Sequence, residues 1–126
     1  HGAESVDVET LLHTSDVLTV HVDGREENQH FLNQTRLAML PPHALLINTS
    51  RGHVIDEHAL ARTLHTSPGQ RAFLDVHACE PIESTSPLLG CDQVRLLPHA
   101  ASRTEAAQRR MSEVVEAVWA LVAGGG

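Results

Sequence analysis

The sequence contains no lysine and no tyrosine, and it has only two phenylalanines, one tryptophan and two cysteines. Because all nine basic residues are arginine, Schiff-base catalysis and a lysine-bearing P-loop are excluded within this chain. The formal net charge is −7, so the chain lacks both the basic surface and the stacking rings that nucleic-acid binding needs. We therefore expect no nucleic-acid partner.

Long apolar runs are missing too. No stretch approaches the roughly 18 residues that span a bilayer, and no secretory signal is recognisable, so we expect no membrane association. Cys79 and Cys91 form no CxxC pair, and we expect a cytoplasmic protein with two free thiols. The ten histidines show neither HExxH nor paired Cys/His spacing, and no metal site is expected.

What is present is an alternation of apolar strands and capped helices typical of a single α/β domain. Helices are predicted after Asp7, Asn33, Asp56 and Ser102, each of which can cap the helix that follows. The last of these helices has apolar residues on one face at Met111, Val115, Val118 and Val122. Strands are predicted over residues 16–22, 44–50, 72–76 and 94–97.

This order predicts a mainly parallel sheet of about four strands with flanking helices and right-handed crossovers. The strands are continuously apolar, which is typical of a sheet covered on both faces. No GxGxxG motif opens a helix, and no strand is predicted before residue 16. If the architecture binds a dinucleotide, the half that cradles the phosphates is missing from this sequence.

Three polar residues, Arg51, Glu80 and His99, follow predicted strands. Residues just past the carboxyl ends of parallel strands face one shared crevice, where ligands bind in open α/β sheets. An arginine fits a carboxylate bidentately, and a histidine suits proton transfer near neutral pH. A carboxylate close to the imidazole favours its protonated form. The trio is therefore suited to holding a carboxylate substrate and moving a proton.

Each of these residues also has a simpler interpretation. Arg51 beside Gly52 can be a turn residue that neutralises nearby acids, Glu80 a solvated loop carboxylate, and His99 a hydrogen-bonded residue at a strand end. Asp75 is different, because an acid inside an apolar strand is costly to bury unless it is paired. A functional role or a capped turn is favoured for Asp75.

The chain resembles the D-isomer-specific 2-hydroxyacid dehydrogenases from about residue 2 to residue 110. The matching motifs lie, in the family's order, at 15–22, 45–52, 54–57, 59–60, 74–76, 80–81, 87–88 and 98–99. Residues 22–25, where much of the family has a proline, are more similar to the phosphoglycerate dehydrogenase branch.

The resemblance implies that residues 1–126 are a partial dinucleotide-binding domain, the distal half of a Rossmann-type doubly wound sheet. It implies that the glycine fingerprint and the ribose-binding acid lie upstream of His1 and that the substrate domain is absent. NAD is the implied cofactor, and NADP stays open because the discriminating acid lies upstream. A small 2-hydroxy or 2-oxo acid is the implied substrate, and we expect a homo-oligomer.

The resemblance also assigns roles to residues. It implies catalytic roles for Arg51, in an Asn-x-x-Arg-Gly motif, and for Glu80 and His99. Asp75 would meet the nicotinamide carboxamide, and cofactor contacts fall on Val22, Thr49, Ser50, Arg51, Asp75, His99, Ala100, Ala101 and Ser102. Two departures from the family pattern, Leu97 for a common threonine and His77 for a usual aromatic residue, remove no reacting group.

Two functional interpretations follow. The first is a fragment of an oxidoreductase that transfers a hydride between NAD and a D-2-hydroxy acid, with 3-phosphoglycerate among the candidates. In that case we expect the isolated chain to bind NAD weakly and to turn over little. The second is a non-catalytic half-domain that folds by self-association or by strand or helix exchange, because strand 16–22 would be an exposed apolar edge.

Overall fold

The computed structural model describes residues 2–99. Four strands, β1 (Val17–Val20), β2 (Leu45–Asn48), β3 (Arg71–Leu74) and β4 (Val94–Leu96), form one sheet in the order β1-β2-β3-β4. Every neighbouring pair is parallel. The α-helices of this part of the chain are α1 (Val8–Thr14), α2 (Gln34–Leu37) and α3 (Glu57–Thr66). The predicted parallel α/β sheet is therefore confirmed, with shorter strands than predicted.

The helices begin where local hydrogen bonding predicts. The side chains of Asp7, Asn33 and Asp56 each accept a hydrogen bond from the backbone N–H three residues further along the chain. Each cap satisfies one amide that has no partner inside its helix. The fourth predicted cap, Ser102, and the helix predicted after it lie outside the described residues.

The core lies on one face of the sheet. In β1 and β3 the side chains alternate between exposed and buried, and the buried ones pack in one cluster with Leu37 of α2 and Leu60 of α3. On the other face Val17 is 55% exposed and Phe73 37%. This face is therefore partly exposed among residues 2–99, and cover on both faces stays a prediction, because the helix predicted after Ser102 lies outside the described residues. Because the strands advance in one direction, right-handed crossovers place their helices on the same face.

Short segments beyond the strands bring the carboxyl ends together. The N–H of His30 donates to the carbonyl of His53 (2.8 Å), and the N–H of Leu32 donates to that of Val54 (3.0 Å). The turn after β1 is thereby joined to the turn after β2. The loop predicted over residues 79–92 contains one 3₁₀ turn, Pro87–Gly90.

Two further expectations concern thiols and membranes. Cys79 and Cys91 are free, as predicted. Over residues 2–99, none of the helices has the length and apolar character needed to cross a bilayer.

Candidate active site

The turn after β2 is built by a buried asparagine. Asn48 is 1% exposed; its amide nitrogen donates to the carbonyl of Arg51 (3.0 Å), and its side-chain oxygen accepts from the N–H (3.0 Å) and hydroxyl (2.8 Å) of Ser50. Such local side-chain bonds fold an asparagine into a turn. They place Thr49, Ser50 and Arg51 at the rim beyond β2. The Asn-x-x-Arg-Gly motif is visible in the sequence. The sequence alone does not show that its asparagine, Asn48, folds the turn.

The turns after β2 and β3 touch at Gly52. A Cβ built on this buried glycine would lie 1.9 Å from the carbonyl carbon and oxygen of His77 and 2.5 Å from the nitrogen of Ala78. Only a residue without a side chain permits so close an approach of two backbones. Gly52 therefore brings the segment of Arg51 against the segment that leads to Glu80.

Backbone amides beyond β3 hold two carboxylates. The N–H of His77 donates to Oε1 of Glu80 (3.0 Å), and the N–H of Ala78 donates to Oε1 of Glu57 (2.9 Å). Glu57 is the first residue of α3, so this helix anchors the loop. The carboxylate of Glu80 is thereby fixed through one of its oxygens, and the other oxygen is left for a second partner.

That partner is His99. Its Nδ1 lies 2.8 Å from Oε2 of Glu80, and the two side chains are each 38% exposed. Because Nδ1 is engaged by the carboxylate, Nε2 is the ring nitrogen that can exchange a proton with a ligand. The backbone of His99 has a φ of 53°, a left-handed conformation that non-glycine residues keep only where their surroundings impose it. The structure thus brings together two residues that lie far apart in the sequence.

The pair shifts the acidity of Glu80. The pKa of Glu80 lies below its ordinary value of 4.5, chiefly because the His99 side chain donates to the carboxylate and also because the His77 N–H does. Both donors favour the ionised carboxylate. Glu80 is therefore charged near neutral pH and orients the imidazole.

We expect this pair to stabilise the fold above the ordinary carboxyl pKa and to lose that effect in acid. A lowered native pKa contributes stability above the unfolded value, near 4.5, which disappears as pH falls through the native value. The difference in the free energy of unfolding between the native protein and Glu80→Gln should therefore shrink between about pH 6 and pH 3. Urea unfolding at each pH measures it.

The matched control for this acid titration is Glu27→Gln, on the exposed loop after β1. Its difference from the native protein should stay flat over the same pH range. The prediction fails if the Glu80→Gln difference is equally flat. Because the Glu80 side chain is partly exposed, solvent screening keeps the expected effect modest.

Arg51 lies on the adjoining turn. Its Nη1 donates to the carbonyl of Ser50 (2.8 Å), and its side-chain stem passes Gly24, where a Cβ would lie 3.1 Å from the Arg51 Cγ. Within residues 2–99 the guanidinium has no bond to Glu80 or His99. The convergence expected for the trio is thus direct for Glu80 and His99. Arg51 is linked to them through Gly52 and His77.

The remaining predicted site residues surround these turns. Val22 is half-buried against the core, and Thr49 is exposed. Asp75 is 1% exposed just beyond β3, and its N–H donates to the carbonyl of Asn48 (3.0 Å). Ala100, Ala101 and Ser102 lie outside the described residues.

A cavity of about 550 Å³ adjoins the pair. Its walls are largely apolar, and His77, Glu80 and His99 are its titratable residues; the rest of the lining is Pro81, Ile82, Leu96, Leu97 and Pro98. In the described part of the chain, no three or more His, Cys, Asp or Glu side chains are grouped so as to hold a metal ion.

A parallel sheet with polar residues beyond the carboxyl ends of its strands defines the class of open α/β domains that bind ligands at that edge, and dinucleotide-binding domains are among them. The family model described as "D-isomer specific 2-hydroxyacid dehydrogenase, NAD binding domain" matches residues 1–101. The chain belongs to this family, as the resemblance predicted. The cofactor prediction is confirmed at the level of the family, whose model names NAD.

Individual relatives also support membership of this family. A glyoxylate reductase of Thermofilum pendens is 41% identical over 111 residues, which are 88% of this chain and 33% of the relative. The crystal structure of a glyoxylate reductase from Paecilomyes thermophila has a TM-score of 0.80 at 32% identity, covering 90% of this chain and 34% of that one. A D-lactate dehydrogenase from Aquifex aeolicus, complexed with NAD and lactic acid, has a TM-score of 0.74 at 30% identity, covering 94% and 40%. The chain thus spans about a third of the length of the curated relatives it matches.

Proposed function

We propose that the protein containing this chain reduces a small 2-oxo acid of the glyoxylate type with a nicotinamide dinucleotide, using Arg51, Glu80 and His99 as catalytic residues. The observation that carries the proposal is the 2.8 Å bond between Nδ1 of His99 and Glu80 beyond the carboxyl ends of β3 and β4. The glyoxylate reductases among the relatives favour this substrate class over 3-phosphoglycerate, which the segment 22–25 suggests.

Reduction of a 2-oxo acid needs a proton at the carbonyl oxygen. His99, protonated and paired with Glu80, would donate this proton from Nε2 and take it back in the oxidation direction. Glu80 holds the ring in one orientation through its contact with Nδ1. General acid–base catalysis of this kind contributes roughly 10²- to 10⁴-fold to the rate.

The substrate carboxylate needs a second group. Arg51 is exposed on the turn after β2, and its planar guanidinium can bind a carboxylate through two parallel hydrogen bonds. Its bond to the Ser50 carbonyl leaves further N–H donors of the five that a guanidinium has. Arg51 would thus fix the substrate with its carbonyl toward His99.

We propose that a nicotinamide dinucleotide binds at the rim beyond the strands. Val22, Thr49, Ser50 and Asp75 all follow the carboxyl ends of parallel strands, where such cofactors bind. When bound, the cofactor supplies the hydride. We propose that Asp75 meets the carboxamide and that Ala100, Ala101 and Ser102 complete the contacts.

The direct test uses the full-length protein. We expect NADH oxidation that depends on glyoxylate or hydroxypyruvate, followed by absorbance, and saturable quenching or enhancement of NADH fluorescence. Oxidation of 3-phosphoglycerate with NAD is assayed in parallel. If the protein turns over that substrate alone, it is assigned to the phosphoglycerate dehydrogenase branch instead. No turnover with any 2-oxo or 2-hydroxy acid overturns the proposal.

We expect Arg51→Lys to lower kcat/KM for the 2-oxo acid by about 10- to 100-fold although the charge is kept. A lysine ammonium is a point charge and cannot form the bidentate pair with a carboxylate. Steady-state kinetics with varied 2-oxo acid at saturating NADH measure the effect.

Arg71→Lys is the control for this substitution, because Arg71 is an exposed arginine at the amino end of β3, away from the site. It should leave kcat/KM unchanged. Equal values for Arg51→Lys and the native protein would remove Arg51 from the proposed mechanism.

For the chain of residues 1–126 by itself, we also propose that copies associate through β1. This strand lies at an edge of the described sheet, and Val17 on it and Leu11 on α1 are exposed apolar residues. An unpaired strand edge is a template for pairing with another copy. Light scattering should show a mass above that of one chain, and a monomer at high concentration would contradict this.

The location of the protein is a separate proposal. Cys79 and Cys91 are free, which agrees with a reducing compartment. We propose that the protein is cytoplasmic, and fractionation of the source cells tests this.

A further inference from the structure

One residue, His77, joins the segments that carry the proposed acid–base pair. Its backbone N–H donates to Oε1 of Glu80 (3.0 Å), and its ring Nε2 lies 2.8 Å from the carbonyl oxygen of Leu97. Its own carbonyl abuts Gly52. With 9% of its surface exposed, His77 is fixed within this junction.

The hydrogen bonds define the tautomer of His77. A carbonyl oxygen only accepts, so Nε2 carries the hydrogen and donates it to Leu97. In the neutral ring Nδ1 is then a bare acceptor. It is buried and has no hydrogen-bond partner within the described part of the chain, an arrangement that costs free energy. A purely apolar ring at this position would avoid the cost of burying Nδ1. We therefore expect the bond from Nε2 to the Leu97 carbonyl to offset that cost.

That bond acts on the segment that ends in His99. The N–H of Leu97 donates to the carbonyl of Leu74 in β3 (2.9 Å), and its carbonyl accepts from His77. Leu97 is thus held on both sides, and Pro98 alone separates it from His99. The φ of a proline is fixed by its ring, which removes one of the few backbone rotations between Leu97 and His99 and so couples their positions.

We propose that His77 is a positioning residue that sets the geometry between Glu80 and His99, and that its ring nitrogen rather than its ring shape does so. The backbone of His77 holds the carboxylate and its side chain holds the strand end that presents the imidazole. The inference rests on the proposed function for its kinetic consequence. It adds to the proposed site a residue, His77, at which this chain differs from the aromatic residue usual in the family.

The test compares two substitutions in the full-length protein. His77→Phe keeps a planar ring and removes the donor to Leu97, and we expect kcat to fall on the order of 10-fold, because small misplacements of catalytic groups are costly. His77→Gln restores an N–H donor of similar reach and should recover most of the loss. His77→Leu, which also lacks a donor, should resemble His77→Phe.

A second readout separates positioning from general loosening of the fold. The pKa of Glu80, lowered chiefly by its bond from His99, should move toward 4.5 in the folded His77→Phe protein and stay low in His77→Gln. Carboxyl ¹³C NMR of Glu80 measures it. Lower thermal stability alone would not change this titration.

The control is His43→Phe, which removes an exposed histidine bonded to Asp16 (2.7 Å) at the amino ends of the strands. It should change neither readout. The proposal is overturned if His77→Phe keeps the native kcat and Glu80 titration, or if His77→Gln is as impaired as His77→Phe. If the native protein reduces no 2-oxo acid, the proposed function fails, and the Glu80 titration still decides the role of His77.

Discussion

Replacing His99 with glutamine lowers kcat for the proposed 2-oxo acid reduction by about 10²- to 10⁴-fold, the usual contribution of a general acid. Glutamine can still hydrogen-bond to Glu80, but it cannot donate a proton to the substrate near neutral pH. The free energy of unfolding should change little, because the His99 side chain is 38% exposed. Steady-state kinetics and urea unfolding of the same preparations measure both quantities.

The control for His99→Gln is His43→Gln, an exposed histidine that also bonds to a carboxylate, Asp16. It lies at the opposite ends of the strands and should keep native kinetics. A double variant, Glu80→Gln with His99→Gln, should be no slower than His99→Gln alone, because residues acting as a unit are not additive. The proposal that Glu80 and His99 act together as the acid–base pair would be rejected by native turnover in His99→Gln. It would also be rejected if the decreases in kcat of the two single variants add fully in the double variant.

The helix starts could be predicted because their physics is local. Asp7, Asn33 and Asp56 each bond to an amide three residues away, so the residues that define the cap stand next to one another in the sequence. The strand ends are less local. The second strand was predicted to reach residue 50, but β2 ends at Asn48, because the Asn48 side chain binds the Ser50 amide and turns the chain.

The contact between Glu80 and His99 was predictable only through topology. Once all strands are parallel, residues after their carboxyl ends must share one rim, and the 2.8 Å bond agrees with that rule. The hydrogen bonds that hold the segments carrying Glu80 and His99 could not be predicted from topology. The bond from His77 to Leu97 joins residues that are 20 apart in the sequence; the sequence distinguishes both only as departures from the family pattern, and nothing in it indicates that they bond to each other. The assignment of catalytic roles to this contact stays a proposal.

The partly exposed sheet face shows what an apolar strand pattern leaves undecided. Apolar strands indicate burial on both faces, and Val17 and Phe73 are apolar. Yet both are exposed in the described structure, because the crossover helices between consecutive strands lie on the opposite face. The pattern of a strand indicates which of its faces are apolar. It does not indicate which segment of the protein packs on each face.

We expect Gly52→Ala to destabilise the protein by about 3 kcal/mol or more, at the upper end of what overpacking costs. The added Cβ would lie 1.9 Å from the carbonyl carbon and oxygen of His77. These are backbone atoms and cannot move aside as a flexible side chain would. The turns after β2 and β3 must therefore separate. Urea unfolding of the native protein and the variant measures the loss.

Gly90→Ala is the control for Gly52→Ala, because a Cβ there meets nothing within 4 Å, and it should be neutral or slightly stabilising. The site adds a second consequence. Because Gly52 abuts the carbonyl of His77, whose N–H holds Glu80, separating the turns displaces the carboxylate as well as Arg51. The folded fraction of Gly52→Ala should thus lose turnover beyond what its stability explains. A variant with native stability would show that the two backbones do not pack as closely as described, and one that is unstable but fully active when folded would show that this contact does not position the site.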